Sequence, residues 1–198
     1  MEIVIASANL HKIRELREMM KGFPFIDVLS LHNFPNYVPP AEEGKNFKEN
    51  AVLKASHACS ALNKIVLADD SGLVVPSLGG APGVNSRRYA GEDATDAENR
   101  HKLLEALVGK QEHERSAYFE CFLALAIPEK KVRCFNAVCE GVIVSEEKGR
   151  NGFGYDSLFI KNDYDKTFAE LDETTKNRIS HRRKAFEKLI VFLESIAH

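Results

Sequence analysis

A chain of 198 residues with 44% hydrophobic and 28% charged composition has the length and apolar content to bury a core without disulfide or metal staples. Its 27 basic and 29 acidic residues leave a net charge of −2, which implies no broad polyanion-binding surface, although a local basic cluster can still grip a small anion. No apolar run is long enough to span a bilayer, and Met1 leads almost directly into Ile3-Val4-Ile5, so export and membrane insertion are not expected.

Glu2 to Ala6 reads as a short buried strand, followed by Ser7-Ala8-Asn9 and a helix carrying Leu10, Ile13, Leu16 and Met20 at helical spacing. The turn gathers Ser7, Asn9, Lys12 and free backbone N–H groups at a helix N-terminus, where a phosphate binds well. The plainer alternative is an N-cap at Ser7 or Asn9 with a solvated Lys12. Phe25 to Leu29 is a second strand candidate. Residues 33–44 form a proline-rich connection that ends in Glu42-Glu43-Gly44, just ahead of a helix from Asn46 to Leu62. A carboxylate on so anchored a loop could complete a metal site, or could simply be solvated. Lys54, on or beside the apolar stripe of that helix, is equally ambiguous.

Ile65-Val-Leu-Ala-Asp-Asp-Ser-Gly-Leu-Val-Val75 is an apolar run broken by two adjacent carboxylates. The expectation is a buried strand ending at Asp69-Asp70 on a sheet edge, with Ser71-Gly72 turning the chain back into Leu73 to Val75. Two adjacent carboxylates repel each other and call for a cation, a proton or a partner. A divalent metal is one answer, and a merely polar hairpin turn is the other.

The glycine-rich stretch from Leu78 to Gly91 has neither Walker A nor dinucleotide spacing. Thr95-Asp-Ala-Glu98 is a capping box opening a helix towards Gly109. Ser116 to Ile127 and Val132 to Val144 read as an extended hairpin. Gly149 to Asp156 holds two aromatics and a carboxylate in a glycine-rich loop, suited to a base-stacking lip, unless Phe153 is tucked into the core. Lys176-Asn-Arg-Ile-Ser-His-Arg-Arg183 opens an amphipathic helix whose basic start opposes the macrodipole, which suggests an anion nearby or a solvated face. The four cysteines form no Cys-x-x-Cys pair and lie in apolar or helical contexts, so buried free thiols and a reducing, cytoplasmic setting are expected.

Taken together, these parts are those of a nucleotide site in one domain over 1–198. The blocks Ser7-x-Asn9-x-x-Lys12, Glu42 ahead of Phe47-x-Glu-Asn-Ala, Ala68-Asp-Asp-Ser-Gly72, Gly79-Gly-Ala-Pro-Gly-Val, Phe153-Gly-Tyr-Asp156 and Lys176-Asn-Arg-Ile-Ser-His-Arg182 stand in this order along nearly the whole chain. In this the sequence resembles the inosine/xanthosine triphosphate pyrophosphatases. The resemblance implies a mixed α/β fold with a long curved sheet, flanking helices and two lobes around a central cleft. It also implies Mg2+-dependent hydrolysis of (d)ITP and XTP to the monophosphate and pyrophosphate, clearing them from the nucleotide pool. By the same resemblance, Ser7, Ala8, Asn9, Leu10, His11 and Lys12 hold the triphosphate, Glu42 and Asp70 bind Mg2+, and Asp70 is the proton acceptor. Asp69 supports the metal directly or through water, while Ser71, Phe153, Gly154, Tyr155, Asp156, Lys176, His181 and Arg182 contact the nucleotide. The partners implied are a small nucleotide and a second copy of the chain in a homodimer, with no nucleic acid and no membrane. Two departures stand out. Ser157 occupies a place where the family commonly has proline, and Thr174-Thr175 a place where acidic residues are common. They bear on the stiffness of the aromatic loop and the capping of the last helix. The rival readings are a pyrophosphatase for other nucleoside triphosphates and a nucleotide-binding module without turnover.

Overall fold

The structure is a computed structural model that describes residues 1–197. Six strands form one sheet in the order β2-β1-β3-β4-β5-β6, with β1 Glu2–Ile5, β2 Asp27–Ser30, β3 Ile65–Val74, β4 Ser116–Ala126, β5 Arg133–Ile143 and β6 Phe159–Lys161. The helices are α1 Leu10–Met20, α2 Phe47–Leu62, α3 Asp96–Ala106, α4 Glu173–Ile179 and α5 His181–Ile196. β1 is parallel to both neighbours, with Ile3 opposite Val28 on one side and Ile65 on the other, so α1 and α2 are the crossovers that parallel pairing requires. β6 is antiparallel to β5. The fold is thus the mixed α/β architecture expected.

Contacts divide the chain into two compact units. The first comprises Met1–Asp70, Cys121–Ala137 and the chain from Arg182 onward. Here β1 and β3 are buried on both faces, which explains why they read as unbroken apolar runs rather than alternating ones. Ile3, Ile5 and Leu67 pack with Ile13 and Leu16 of α1 and Phe186, Leu189 and Leu193 of α5. Val4, Ala6, Val66 and Ala68 face the other way, onto Ala51, Ala55, Ala58 and Cys59 of α2, whose small side chains allow a close approach. The second unit comprises Ser71–Glu120 and Val138–His181. Its core joins Leu73, Leu103, Leu107 and Tyr155 to a ring cluster in which Phe119 and Phe159 meet edge-on at 4.8 Å.

Three expectations are corrected. β3 does not turn at Ser71-Gly72 but runs on to Val74, in the middle of the sheet rather than at its edge. Gly72 is absent from the glycines with positive φ that a tight hairpin needs; instead, a side chain there would collide with Ser86 Oγ and sit 2.8 Å from the Gly83 carbonyl. The glycine permits a close approach, not a turn. The last helix is two helices, because Ser180 is extended at φ −70° and ψ 160° and separates α4 from α5. β2 begins at Asp27, not Phe25, since Phe23 to Ile26 form a turn closed by the Ile26 N–H to Phe23 carbonyl bond. Among the described residues the cysteines are free thiols, with Cys59, Cys121 and Cys139 buried and Cys134 half-buried.

Candidate functional site

Strand alternation decides the chemistry at Asp69-Asp70. Successive side chains on β3 point to opposite faces, so Asp69 continues the Leu67 side towards α1 and α5, while Asp70 continues the Ala68 side towards α2. The two carboxylates are therefore not a repelling pair. Each has its own cation.

On the α2 side, Lys54 Nζ lies 3.0 Å from Asp70 Oδ1, 3.3 Å from Glu42 Oε1 and 2.8 Å from the Asp69 carbonyl oxygen. Burial lowers the Lys54 pKa, but Asp70 and Glu42 outweigh it and leave it raised. Burial pushes the Asp70 carboxyl up, against the pull of Lys54 and Lys12. That is the direction a proton acceptor needs. The loop bearing Glu42 is fastened by Asn50, whose Oδ1 accepts the Gly44 N–H at 2.7 Å, and α2 starts under the Asn46 cap. Glu42, Asp70 and the Asp69 carbonyl thus converge on a single cationic point. Hard oxygen donors with two carboxylates suit Mg2+, which commonly takes its remaining positions from water and substrate phosphates. Among the described residues no group of three or more His, Cys, Asp or Glu stands close enough to hold a metal ion.

On the opposite face, Asp69 is fully buried and receives Lys12 Nζ at 2.6 Å and Arg182 Nε at 2.7 Å, with Cys121 Sγ at 3.3 Å. Arg182 also pairs with Glu15 of α1. Burial would raise the Asp69 carboxyl, yet Arg182 and Lys12 hold it well below the usual aspartate range. Burial keeps the Cys121 thiol protonated, and the negative charge of Asp69 adds to the effect. The anions expected near the basic start of the last helix are therefore Asp69 and Glu15. The role sketched for the Asp69 side chain at a metal is corrected, since that side chain faces Lys12 and Arg182 and only its backbone carbonyl joins the Lys54 group. At the start of α1, Asn9 is the N-cap, accepting from the N–H groups of His11 at 2.9 Å and Lys12 at 3.2 Å, while Ser7 Oγ accepts the Asn9 N–H at 3.1 Å. Ala8, Leu10 and His11 are exposed there, and Lys12 keeps 13% of its side chain accessible.

The second unit gathers the other candidates. Lys176 Nζ is 2.6 Å from Asp156 Oδ2 and 4.7 Å from the centre of the Phe153 ring. Asp156 Oδ2 also accepts the Phe153 N–H at 2.9 Å, so the aromatic loop closes on its own carboxylate. Phe153 is half-buried and Tyr155 buried, the latter donating its hydroxyl to the Ser86 carbonyl at 2.8 Å. The His181 ring stacks on Phe119 at 4.9 Å and 11°. Ser71 is half-buried, directly after Asp70.

Glu15 is the chief group that sequence reasoning missed, and Lys54, ambiguous from its spacing alone, is placed by the structure between Asp70 and Glu42. A lysine on the buried stripe of α2 and a glutamate beside Leu16 on α1 both needed a buried opposite charge, and that requirement was the available signal.

The chain is similar to known proteins over nearly its whole length. The chain matches the Ham1 family over residues 3–192. It is 60% identical to a dITP/XTP pyrophosphatase of Protochlamydia amoebophila, with 99% of each chain covered, and 49% identical to a dITP/XTP pyrophosphatase of Chlamydia abortus, covering 99% of this chain and 96% of the relative. The Ham1 protein structures of Staphylococcus aureus and Coxiella burnetii superpose with TM-scores of 0.88 and 0.89, each at 42% identity and covering 98% of this chain and 99% of the other. With its motif blocks in order and its fold matched over almost the full length, the chain belongs to the Ham1 family.

Proposed function

We propose that this enzyme is a nucleoside triphosphate pyrophosphatase that hydrolyses (d)ITP and XTP to the nucleoside monophosphate and pyrophosphate and so removes these unusual purine nucleotides from the pool. The observation that carries the reading is the convergence of Glu42, Asp70 and the Asp69 carbonyl on the Lys54 ammonium. Oxygen donors that hold one cation can hold another. In this reading Glu42 and Asp70 are the Mg2+ ligands, and the bound ion supplies charge neutralisation on the phosphates.

Asp70 accepts a proton from water as the water oxygen forms a bond to the α-phosphorus. The bond from that phosphorus to the bridging oxygen breaks, its electron pair leaving with pyrophosphate. Lys12 and the residues Ser7 to His11 take the triphosphate at the start of α1, where the helix dipole and the Lys12 ammonium favour developing negative charge. Asp69 holds Lys12 there. Phe153, Gly154, Tyr155, Asp156, Lys176, Ser71 and His181 are assigned the nucleotide contacts, together with Arg182, whose guanidinium Asp69 and Glu15 orient. A 6-keto purine offers an acceptor to such donors, whereas adenine offers a 6-amino donor and leaves them unpaired.

The substrate is a free nucleotide and the setting cytoplasmic, with a homodimer as the working form and neither nucleic acid nor membrane as partner. No described helix is long and apolar enough to cross a membrane. Sedimentation tests the dimer, and a monomer at working concentration would contradict it. Asp70→Asn tests the chemistry. It should fold and bind nucleotide normally but release pyrophosphate slower by about three orders of magnitude, the scale of removing a positioned acid–base group. Turnover within a factor of a few of the parent would exclude Asp70 as proton acceptor.

A further inference from the structure

The aromatic loop is held by a helix to which no role has so far been assigned. Asp96 and Arg100 lie four residues apart on α3 and so share one face. Asp96 Oδ2 accepts the Gly154 N–H at 2.7 Å, and Arg100 Nη1 donates to the Gly154 carbonyl at 2.9 Å. Both polar backbone atoms of one loop residue are thereby fixed from α3. Arg100 Nε lies 2.9 Å from Glu147 Oε2, which also accepts the Ser157 hydroxyl at 3.1 Å.

Asp96 is not needed to start its own helix. Thr95 caps α3 through the Glu98 N–H at 3.3 Å, and Glu98 answers by accepting the Thr95 N–H at 2.8 Å. Gly154 sits at φ +60°, a left-handed conformation that glycine reaches as readily as others and leaves as readily, so its peptide gains most from outside restraint. Ser157 stands immediately after the loop, where a proline would have stiffened the backbone covalently. Here a hydrogen bond from Ser157 to Glu147, an ion pair from Glu147 to Arg100 and a hydrogen bond from Arg100 to Gly154 do that work.

We propose that Asp96 and Arg100 are positioning residues that fix the Phe153–Asp156 loop for the nucleotide, setting affinity without entering the chemistry. This rests on the pyrophosphatase reading for its functional consequence. The restraint itself does not.

The test uses the full-length protein with Arg100→Met, Asp96→Ala and the conservative Arg100→Lys. Hydrogen exchange at the Gly154 amide is measured without nucleotide, and kcat and KM for the triphosphate that the parent hydrolyses are measured beside it. Losing one such bond should speed Gly154 exchange and raise KM about five- to tenfold in Arg100→Met and Asp96→Ala, with kcat within about twofold. Arg100→Lys, which keeps a donor, should recover most of the KM, and inhibition by pyrophosphate alone should be unchanged in all three. Unaltered exchange at Gly154, or faster exchange with KM unmoved, would overturn the proposal, as would a fall in kcat at constant KM. A parent protein that released pyrophosphate from no triphosphate would instead overturn the proposed function, with exchange still deciding whether the restraint exists.

Discussion

Asp69 and Asp70 are neighbours with opposite environments, and the difference follows from one turn of strand geometry. Asp70 shares Lys54 with Glu42 and has its carboxyl pushed upward by burial, while Asp69 is locked between Lys12 and Arg182 with its carboxyl held low. Asp69→Asn removes one charge from a buried group of cations, and breaking such a pair costs about 3–5 kcal/mol. Chemical denaturation at neutral pH should show that loss. Its pH dependence has a definite sign. A carboxyl whose pKa is depressed on folding contributes stability above its ordinary value of 3.8, and that contribution is lost as pH falls through the lower folded value. The gap between parent and Asp69→Asn should therefore stay level at neutral and weakly acidic pH and close only below about pH 4. A gap that closed near neutrality would mean that Asp69 is not the anchored carboxylate described. The presence of acidic chemistry at this pair was legible from the residues alone. Its division between two faces was not, because Ser71-Gly72 carries turn chemistry that masks a strand continuing to Val74.

At the level of elements, β1, α1, α2 and α3 were legible because each carries a strong local pattern: apolar runs, helical spacing, and the Asn46 and Thr95 caps. β6, three residues long, has no local signature, and its pairing with β5 depends on residues distant in sequence. The break at Ser180 escaped for a similar reason, since neither proline nor glycine marks it and the buried Ser180 is held by its surroundings. Gly72 is the clearest instance of one residue type serving two purposes. Its role in close approach predicts that Gly72→Ala, with a Cβ 2.8 Å from the Gly83 carbonyl, destabilises by about 1–3 kcal/mol through overpacking. A urea midpoint indistinguishable from the parent's would show that the approach can relax. A true hairpin glycine would instead have been sensitive through its backbone conformation.

For the whole molecule, the motif blocks are spread from Ser7 to Arg182, and folding brings them into a carboxylate and lysine group in one unit and an aromatic, lysine and aspartate group in the other. In the proposed function the Mg2+ and phosphate chemistry is assigned to the first group, and preference for a 6-keto purine to the second together with Arg182. The account stands or falls on Mg2+-dependent hydrolysis that favours a 6-keto purine triphosphate. Pyrophosphate release from ITP, XTP, GTP and ATP, each with and without Mg2+, measures this directly. The expected result is rapid release from ITP and XTP with Mg2+, weak release from ATP, and negligible release from any of the four without the metal. Equal rates on ATP and ITP, or undiminished release in the absence of Mg2+, would contradict it.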